Sequence, residues 1–278
     1  MLQRIISNLT HPHLIPKKSL RKIDMLLTAF ILNKKRWVKL EGKNIFTMRN
    51  FGTITNMRIE TFETKEPETI EWINRFKKGE TLLDIGANVG IYSLYAAYQG
   101  HSVVAMEPDA LNFALLNLNI KDNDFNRQIT AYPYSIHEQS KLSVLNIHGY
   151  HWGGTASSFD RKLDWKGENM TPAFQQGSSG ITVDDFIDHC DFFPNHIKID
   201  IDGNELLVLR GATKTLNNPA CKSVLIELFE DHPEYQQCIA IFMKYGFVLI
   251  NKTHSAMFDG DVPKTDNHIF IKNNDKEQ

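Results

Sequence analysis

The segment Thr81-Leu-Leu-Asp-Ile-Gly-Ala-Asn-Val-Gly90 constrains the fold more than any other stretch of the chain. Thr81–Ile85 reads as a buried strand, Gly86–Val89 as a tight turn and Gly90 as the start of a helix. Gly86 permits the turn without a Cβ penalty and lets a ligand approach the backbone. Unpaired N–H groups at the start of the following helix favour electron-rich ligand atoms. Asp84 places a carboxylate at the strand end, two residues before the glycine. The next strand, Ser102-Val-Val-Ala-Met106, ends in a second carboxylate, Glu107, followed by Pro108 and Asp109.

Three nucleotide-binding patterns compete for this segment. The dinucleotide fingerprint G-x-G-x-x-G fails, because Asn88 stands at its second glycine and Ile91 at its third. The phosphate loop G-x-x-x-x-G-K-[ST] occurs nowhere in the sequence. The remaining pattern is D-x-G-x-N-x-G with an acidic strand end downstream. It suits a ligand with a cationic amino acid part and a ribose diol, and S-adenosylmethionine (SAM) carries both. The expected SAM contacts are Asp84, Gly86, Ala87, Asn88, Gly90, Glu107, Pro108, Ser135 and Asp200. An ordinary strand–turn–helix needs the glycines alone and leaves the two carboxylates unexplained.

Charge is spread unevenly along the 278 residues. The first 43 residues carry ten Lys/Arg against two acids, a balance of +8, so the remainder stands at −10. Such a basic end suits an anionic partner, either a membrane surface or an anionic substrate, and equally suits a solvated helical face. Met25–Leu32 is too short an apolar run to span a bilayer, and the start of the chain lacks the order of a signal peptide. The expectation is a cytoplasmic protein able to lie against a membrane. Cys190, Cys221 and Cys238 are isolated, which suggests neither a zinc ribbon nor a redox pair and argues against radical SAM chemistry. His148 and His151 have H-x-x-H spacing in a glycine-rich loop, where such a pair is usually incidental.

The pattern divides the chain into a basic helical and hairpin extension (1–60), a catalytic domain (61–273) and a flexible tail (274–278). Pro12 and Pro16 interrupt the first part, so a helix starts at Lys17 or Ser19 and runs to Leu32. Arg36–Arg49 reads as a hairpin, and Glu66–Phe76 as a helix with Gly79 as its left-handed cap. From Glu80 strands and helices alternate: strand 81–85, helix 90–99, strand 102–106, helix 109–121, strand 129–134. Residues 141–180 read as extra strands and a long loop over the site. A helix capped by Thr182, a strand 196–201, a helix 205–216, a strand 223–229, a helix 233–245 and strands near 247–250 and 268–272 follow. Alternation of this kind gives an α/β fold with a mostly parallel sheet and helices on both faces.

His196-Ile-Lys-Ile-Asp-Ile-Asp-Gly-Asn-Glu205 is the second informative stretch. Asp200, Asp202 and Glu205 crowd a strand end, where open α/β sheets bind ligands. Crowded carboxylates raise one another's pKa, which suits a general base. Asp200 is the first choice for base or substrate orienter, with Asp202 and Glu205 as neighbours that tune it. A structural account competes: Asp202 as the N-terminal cap of the next helix, and Glu205 in a favourable position against the helix dipole, which explains Glu205 about as well. Asp200, set between isoleucines, needs a partner. His196 starts the strand and falls far from the cofactor. Together with Glu227, Asp200 and Asp202 are able to bind Mg²⁺, but no spacing demands a metal.

With these residues the chain resembles the FkbM family of SAM-dependent methyltransferases. The matching positions are Leu83–Ser93, Glu107-Pro108, Ile197–Glu205, Leu209-Arg-Gly-Ala212 and Leu225-Ile-Glu227. Asp202 departs from the pattern, since many relatives carry Glu there. The resemblance implies a class I methyltransferase (Rossmann-like) fold with an antiparallel edge hairpin formed by the last two strands. It also implies O-methylation of a sugar, glycan or natural-product hydroxyl. A hydroxyl is a poor nucleophile until a base takes its proton, which gives the strand-end carboxylates a purpose. Two alternatives stand beside it: an RNA or protein methyltransferase gripping its substrate with the basic end, and a SAM-fold binding protein without catalysis. No Asp/Asn-Pro-Pro-Tyr motif follows the acidic strand, which makes a nucleobase substrate the weaker expectation.

Overall fold

A computed structural model describes residues 17–254 and 265–273. The proline-broken stretch before Lys17 and the tail after Asn273 lie outside the described residues. Helix α1 (Lys17–Leu32) leads into the hairpin β1 (Lys35–Leu40) and β2 (Lys43–Arg49). The hairpin turns through Glu41 and Gly42, both left-handed, as a two-residue turn between twisted strands requires. Three short helices follow: α2 (Thr53–Glu60), α3 (Phe62–Lys65) and α4 (Pro67–Asn74). Pro67 starts α4 in the position where a missing N–H costs nothing.

The alternation after Glu80 is β3 (Thr81–Ile85), α5 (Ile91–Tyr98), β4 (Ser102–Met106), α6 (Ala110–Asp122) and β5 (Ile129–Tyr132). Next come β6 (Tyr134–Ile136), β7 (Lys141–Ile147), β8 (Ser157–Phe159), β9 (Phe174–Ile181) and α7 (Val183–Asp188). The chain ends with β10 (His196–Ile199), α8 (Glu205–Arg210), α9 (Thr213–Asn217), β11 (Ser223–Phe229), α10 (Tyr235–Lys244), β12 (Phe247–His254) and β13 (Thr265–Lys272). The expected strand 129–134 breaks at Pro133, which has no N–H to donate, and β6 joins a second sheet instead. The expected helix 205–216 breaks at Gly211, packed so close to the His137 carbonyl that a Cβ would meet it at 2.4 Å. Thr182 caps α7 as expected, accepting from the Asp185 amide at 2.8 Å.

The main sheet has the order β12-β13-β11-β10-β3-β4-β5. Its five strands from β11 to β5 are parallel, while β13 runs antiparallel between β11 and β12. This is the α/β arrangement that the resemblance implies, with helices on both faces and the antiparallel hairpin at one edge. Strand β3 lies at the switch point, since the chain leaves it toward β4 on one side and reaches β10 later on the other. Open α/β sheets bind ligands at the carboxyl ends beside such a point. The second sheet, β6-β9-β7-β8, folds over that end.

Successive strand residues face opposite layers. Leu82, Val103, Ala105 and Leu225 join α4, α5 and α6 in one core, and Leu83, Ile85, Val104 and Ile197 join α8 and α10 in the other. Val38, Phe46, Met48 and Ile59 belong to the first core, beside Tyr95 and Ile73. The boundary expected at residue 60 therefore runs through continuous packing. Phe46 is 1% exposed and sets its ring edge-on to Phe62 at 5.9 Å. Among the described residues no helix is long and apolar enough to cross a membrane.

If the hairpin is part of the domain core, Phe46→Ala lowers the stability of the whole domain by about 3–5 kcal/mol, the usual cost of such a cavity. Urea unfolding followed by tryptophan fluorescence measures it. A loss confined to a separate, earlier transition would instead mark the hairpin as an independent unit.

Candidate active site

The end of β3 passes against the end of β10. At Gly86 the φ angle is 81°, and a Cβ there would stand 1.9 Å from the Asp200 carbonyl oxygen. Glycine is therefore required twice over, for the left-handed turn and for the close approach. The amides of Gly86 and Ala87 both donate to the Met106 carbonyl, at 3.0 and 2.9 Å. Asn88, also left-handed, donates its amide to Glu107 Oε2 at 2.8 Å, and the Asp109 amide donates to Oε1 at 2.8 Å. The Glu107 carboxylate thus joins the turns after β3 and β4. Burial pushes its carboxyl up to about 8 in spite of these donors.

Beneath the turns lies a buried ion cluster. Lys198 on β10 pairs in register with Asp84 on β3 and is 2% exposed. Its ammonium donates to Asp200 Oδ2 at 2.7 Å and sits 5.1 Å above the Tyr92 ring. Burial works against that charge, but Asp200, Glu66 and Asp84 outweigh it and hold the lysine above its ordinary pKa. Asp84 accepts from the Ser93 hydroxyl, and burial raises its carboxyl against the pull of Lys198. Asp200 loses charge stability to burial as well, yet Lys198 and Lys65 bring its carboxyl down to about 2.

Asp202 and Glu227 complete the acidic edge. One oxygen each of Asp200, Asp202 and Glu227 lies within 4.8 Å of the other two. Burial, with the Asp200 charge, raises Asp202 to about 6. Burial and both aspartates push Glu227 well above the ordinary range, and Glu227 Oε1 accepts from the Thr265 hydroxyl at 3.1 Å. Among the described residues this trio has the spacing of an oxygen-ligand metal site.

A cavity of about 240 Å³ opens here, lined by Gly86, Asn88, Asp200, Asp202 and Glu227 on the sheet side. Arg58, Lys65 and Thr265 flank it, and Thr155, Ala156 and Trp165 come from the long connection between β7 and β9. That connection forms a roof, as the sequence suggested. The side-chain amides of Asn88 and Asn112 both donate to the Gly154 carbonyl, at 2.7 and 3.0 Å, and Arg58 donates to the Gly153 carbonyl. The Ala156 amide donates to Asp202 Oδ2 at 2.6 Å. Gly86 is shared with a smaller, mostly apolar recess lined by Pro108, Tyr134, Ile136, Leu145, Phe159 and Asn204. Asn204 is 4% exposed, and its Oδ1 has no partner.

The structure brings most of the expected residues to these two spaces. Gly86, Asn88, Asp200 and Asp202 line the first, and Pro108 and Ser135 the second. Asp84, Ala87, Gly90 and Glu107 stand behind them, shaping the turn. Glu205 does not line the cavity: as the first residue of α8 it folds back to accept the Gly203 amide at 3.0 Å. The N-cap of α8 is Asn204 and no side chain caps it, so the expected Asp202 cap is not formed, while Glu205 keeps its first-turn position against the helix dipole, with burial raising its carboxyl to about 7. His196 sits at the opposite end of β10, bonded to Glu80 and Ser223 and stacked on Phe76. Sequence reasoning missed Arg58, Lys65, Trp165 and the buried role of Lys198. Only Lys198 carried a signal, a charge set between two isoleucines of a buried strand.

Comparisons with known proteins bear on the family and the fold. The family model of the methyltransferase FkbM domain matches residues 84–249. The 31-O-demethyl-FK506 methyltransferase FkbM of Streptomyces tacrolimicus is 23% identical over 201 residues, covering 63% of this chain and 75% of the relative. A solved structure of methyltransferase FkbM from Methylobacillus flagellatus superposes with a TM-score of 0.50 at 18% identity, a likeness of fold. That match covers 78% of this chain but only 52% of the solved one, so this chain spans about half its length.

Gly86→Ala tests the close approach directly. Its Cβ collides with the Asp200 carbonyl, so the variant loses clearly more stability than the roughly 1–2 kcal/mol of left-handed strain alone. Gly79→Ala is the control, since Gly79 is also left-handed at 84° but has nothing within 4 Å of a Cβ. Equal losses for the two variants in chemical denaturation would remove the steric argument.

Proposed function

The chain belongs to the FkbM methyltransferase family, and we propose that it transfers the methyl group of SAM to a hydroxyl of a sugar, glycan or natural-product acceptor. The observation that carries this reading is the position of Asp202, a half-buried carboxyl raised to about 6, in the cavity that adjoins the Gly86 turn. A base near neutrality is what an alcohol acceptor needs. The relative from Streptomyces tacrolimicus bears a name that specifies an O-methyltransferase, which supports the same acceptor chemistry.

The residues fit the cofactor. Glu107 has both oxygens at the end of β4, each engaged by one amide and each with a lone pair left for a ribose hydroxyl. The apolar recess suits a flat base, and the unpartnered Asn204 Oδ1 is an acceptor for an exocyclic amine. Asp200 and Asn88 offer acceptors to an ammonium group, and Asp84 supports the turn from behind. When bound, SAM supplies an electrophilic methyl on a sulfonium whose leaving thioether is neutral.

The chain's own part is to orient the acceptor and take its proton. Asp200 is tied to Lys198 and too acidic to serve as the base, so its part is to position the cationic end of the cofactor and to raise Asp202. Asp202, held by the Ala156 amide, accepts the hydroxyl proton. Arg58 and Lys65 orient the acceptor from the opposite wall, and Trp165 closes the space above it.

Two measurements test the assignment. Glu107→Gln weakens SAM binding about 10- to 150-fold in calorimetry, the worth of a charge-assisted hydrogen bond. A carboxyl near 8 is largely protonated at neutral pH, and the diol favours the ionised form. Binding therefore releases a proton near pH 7 and tightens as pH rises through about 8, and both effects vanish in the variant.

Asp202→Asn keeps the shape and removes the acceptor for the proton. Formation of S-adenosylhomocysteine with a sugar acceptor falls about 10²- to 10⁴-fold, while SAM affinity is nearly unchanged. The wild-type rate climbs through about pH 6 on its acid side, where Asp202 loses its proton. Near wild-type turnover in a folded Asp202→Asn protein would remove Asp202 from the role.

A further inference from the structure

We propose that α1 and the adjoining groove are a docking surface for an anionic lipid bilayer. The inference stands apart from the reaction and does not depend on the acceptor. Helix α1 carries six large apolar side chains in the open: Met25, Leu26, Leu27, Phe30, Ile31 and Leu32. Phe30 is 73% exposed and Met25 70%. Water is a poor environment for such a run, and an isolated helix of this length gains little from its own hydrogen bonds. Trp37, 53% exposed on the neighbouring β1, extends the apolar surface with a side chain suited to a headgroup layer.

The carboxyl end of the helix is tied to the body. The Arg49 guanidinium binds the Leu32 carbonyl at the end of α1 and also the Asp122 carboxylate. The Asn50 amide donates to the Lys34 carbonyl at 2.9 Å. Between the end of the helix and the body runs a groove of about 710 Å³, lined by Phe30, Ile31, Leu32, Phe51 and Trp152. Trp152 sits edge-on to Phe51 at 5.2 Å and immediately precedes Gly153, which the roof of the active site uses as a tether. The docking surface thus borders the covering segment of the catalytic cavity.

Charge selects the occupant. Residues 17–43 carry nine Lys/Arg against Asp24 and Glu41, a balance of +7 on the segment that holds the apolar run. Arg21, Lys22, Lys34 and Lys39 are exposed along it. A second copy of this chain would bring the same positive charge against itself. A nucleic acid would meet the charge but leave the aliphatic side chains without a partner. An anionic bilayer satisfies both, with the apolar side chains entering the headgroup–acyl boundary and the basic ones staying among the phosphates.

The test is sedimentation of the full chain with vesicles of phosphatidylcholine alone, and of phosphatidylcholine mixed with phosphatidylglycerol in equal parts. The wild type is retained by the mixed vesicles and released by salt. Reversing Lys22 and Lys34 to Glu weakens retention by well over tenfold, since each basic residue near such a surface contributes about fivefold. Phe30→Glu with Ile31→Glu abolishes it. Calorimetric SAM binding stays unchanged in both variants, which shows that they are folded. Absence of vesicle binding by the wild type overturns the proposal, as does equal retention on neutral vesicles. A dimer that Phe30→Glu splits, or retention on RNA without retention on vesicles, assigns the surface to another partner and overturns it too.

Discussion

One buried ammonium holds the candidate site together. Lys198 gives a common counter-ion to Asp84 on β3, Glu66 at the start of α4 and Asp200 at the end of β10, and it faces the Tyr92 ring on α5. Without it these carboxylates would crowd a layer built from Leu82, Tyr95 and Ile73. An uncompensated buried charge costs several kcal/mol, on the order of 3–5 for a broken pair. Four elements therefore meet around this charge, with Lys65 as a second counter-ion, paired with Glu66 at 2.7 Å. The same ion decides the division of labour above it. By keeping Asp200 ionised, Lys198 lets that carboxylate repel a second charge on Asp202, so neighbouring acids of one kind end with opposite properties.

Much of this was legible in the sequence, for reasons that differ by element. Strands β3, β4, β10 and β11 are near-continuous apolar runs because both faces are covered, with Glu107 and Asp200 directly after β4 and β10 and Asp84 next to last in β3. That is why Asp84, Glu107 and Asp200 emerged as a set. Helices α2 and α3 did not emerge. The sequence Thr53-Ile-Thr-Asn-Met-Arg-Ile-Glu60 has no apolar stripe, and α2 buries only Thr55 and Ile59 fully. With that segment unread, Arg58 and Lys65 stayed hidden, although they form one wall of the cavity. Trp165 stayed hidden for another reason, since the path of the roof depends on distant contacts rather than on local periodicity.

The contacts of the roof around Gly153 and Gly154 are polar. Asn88 and Asn112 share the Gly154 carbonyl, Arg58 holds the Gly153 carbonyl, and Asn112 Oδ1 accepts the Gly153 amide at 2.8 Å. Hydrogen bonds of this kind exchange with water at little net cost, about 1 kcal/mol each, whereas separating packed apolar layers does not. Next to Gly153 and Gly154 the covering segment is attached by bonds that solvent is able to replace, while Trp152 against Phe51 and Trp165 against Phe229 anchor it by ring packing. Asn88 belongs at once to the turn after β3 and to the roof, so the two are joined through one side chain.

The order of the main sheet bears on how the protein is made. Strand β13 lies between β11 and β12, bonded to both along its length. During synthesis β11 leaves the ribosome some 40 residues ahead of β13, as their positions at 223–229 and 265–272 show. Throughout that interval its outer edge stands open, with apolar Val224, Ile226 and Leu228 on the strand. Parallel strands β3, β4 and β10 are able to assemble earlier, but the edge next to the acidic cavity closes only when a segment from much later in the chain slots in. An open strand edge is a template for pairing with another chain. The exposure is therefore a matter of timing: the catalytic side of the nascent sheet carries an unmatched border until residues 265–272 have emerged.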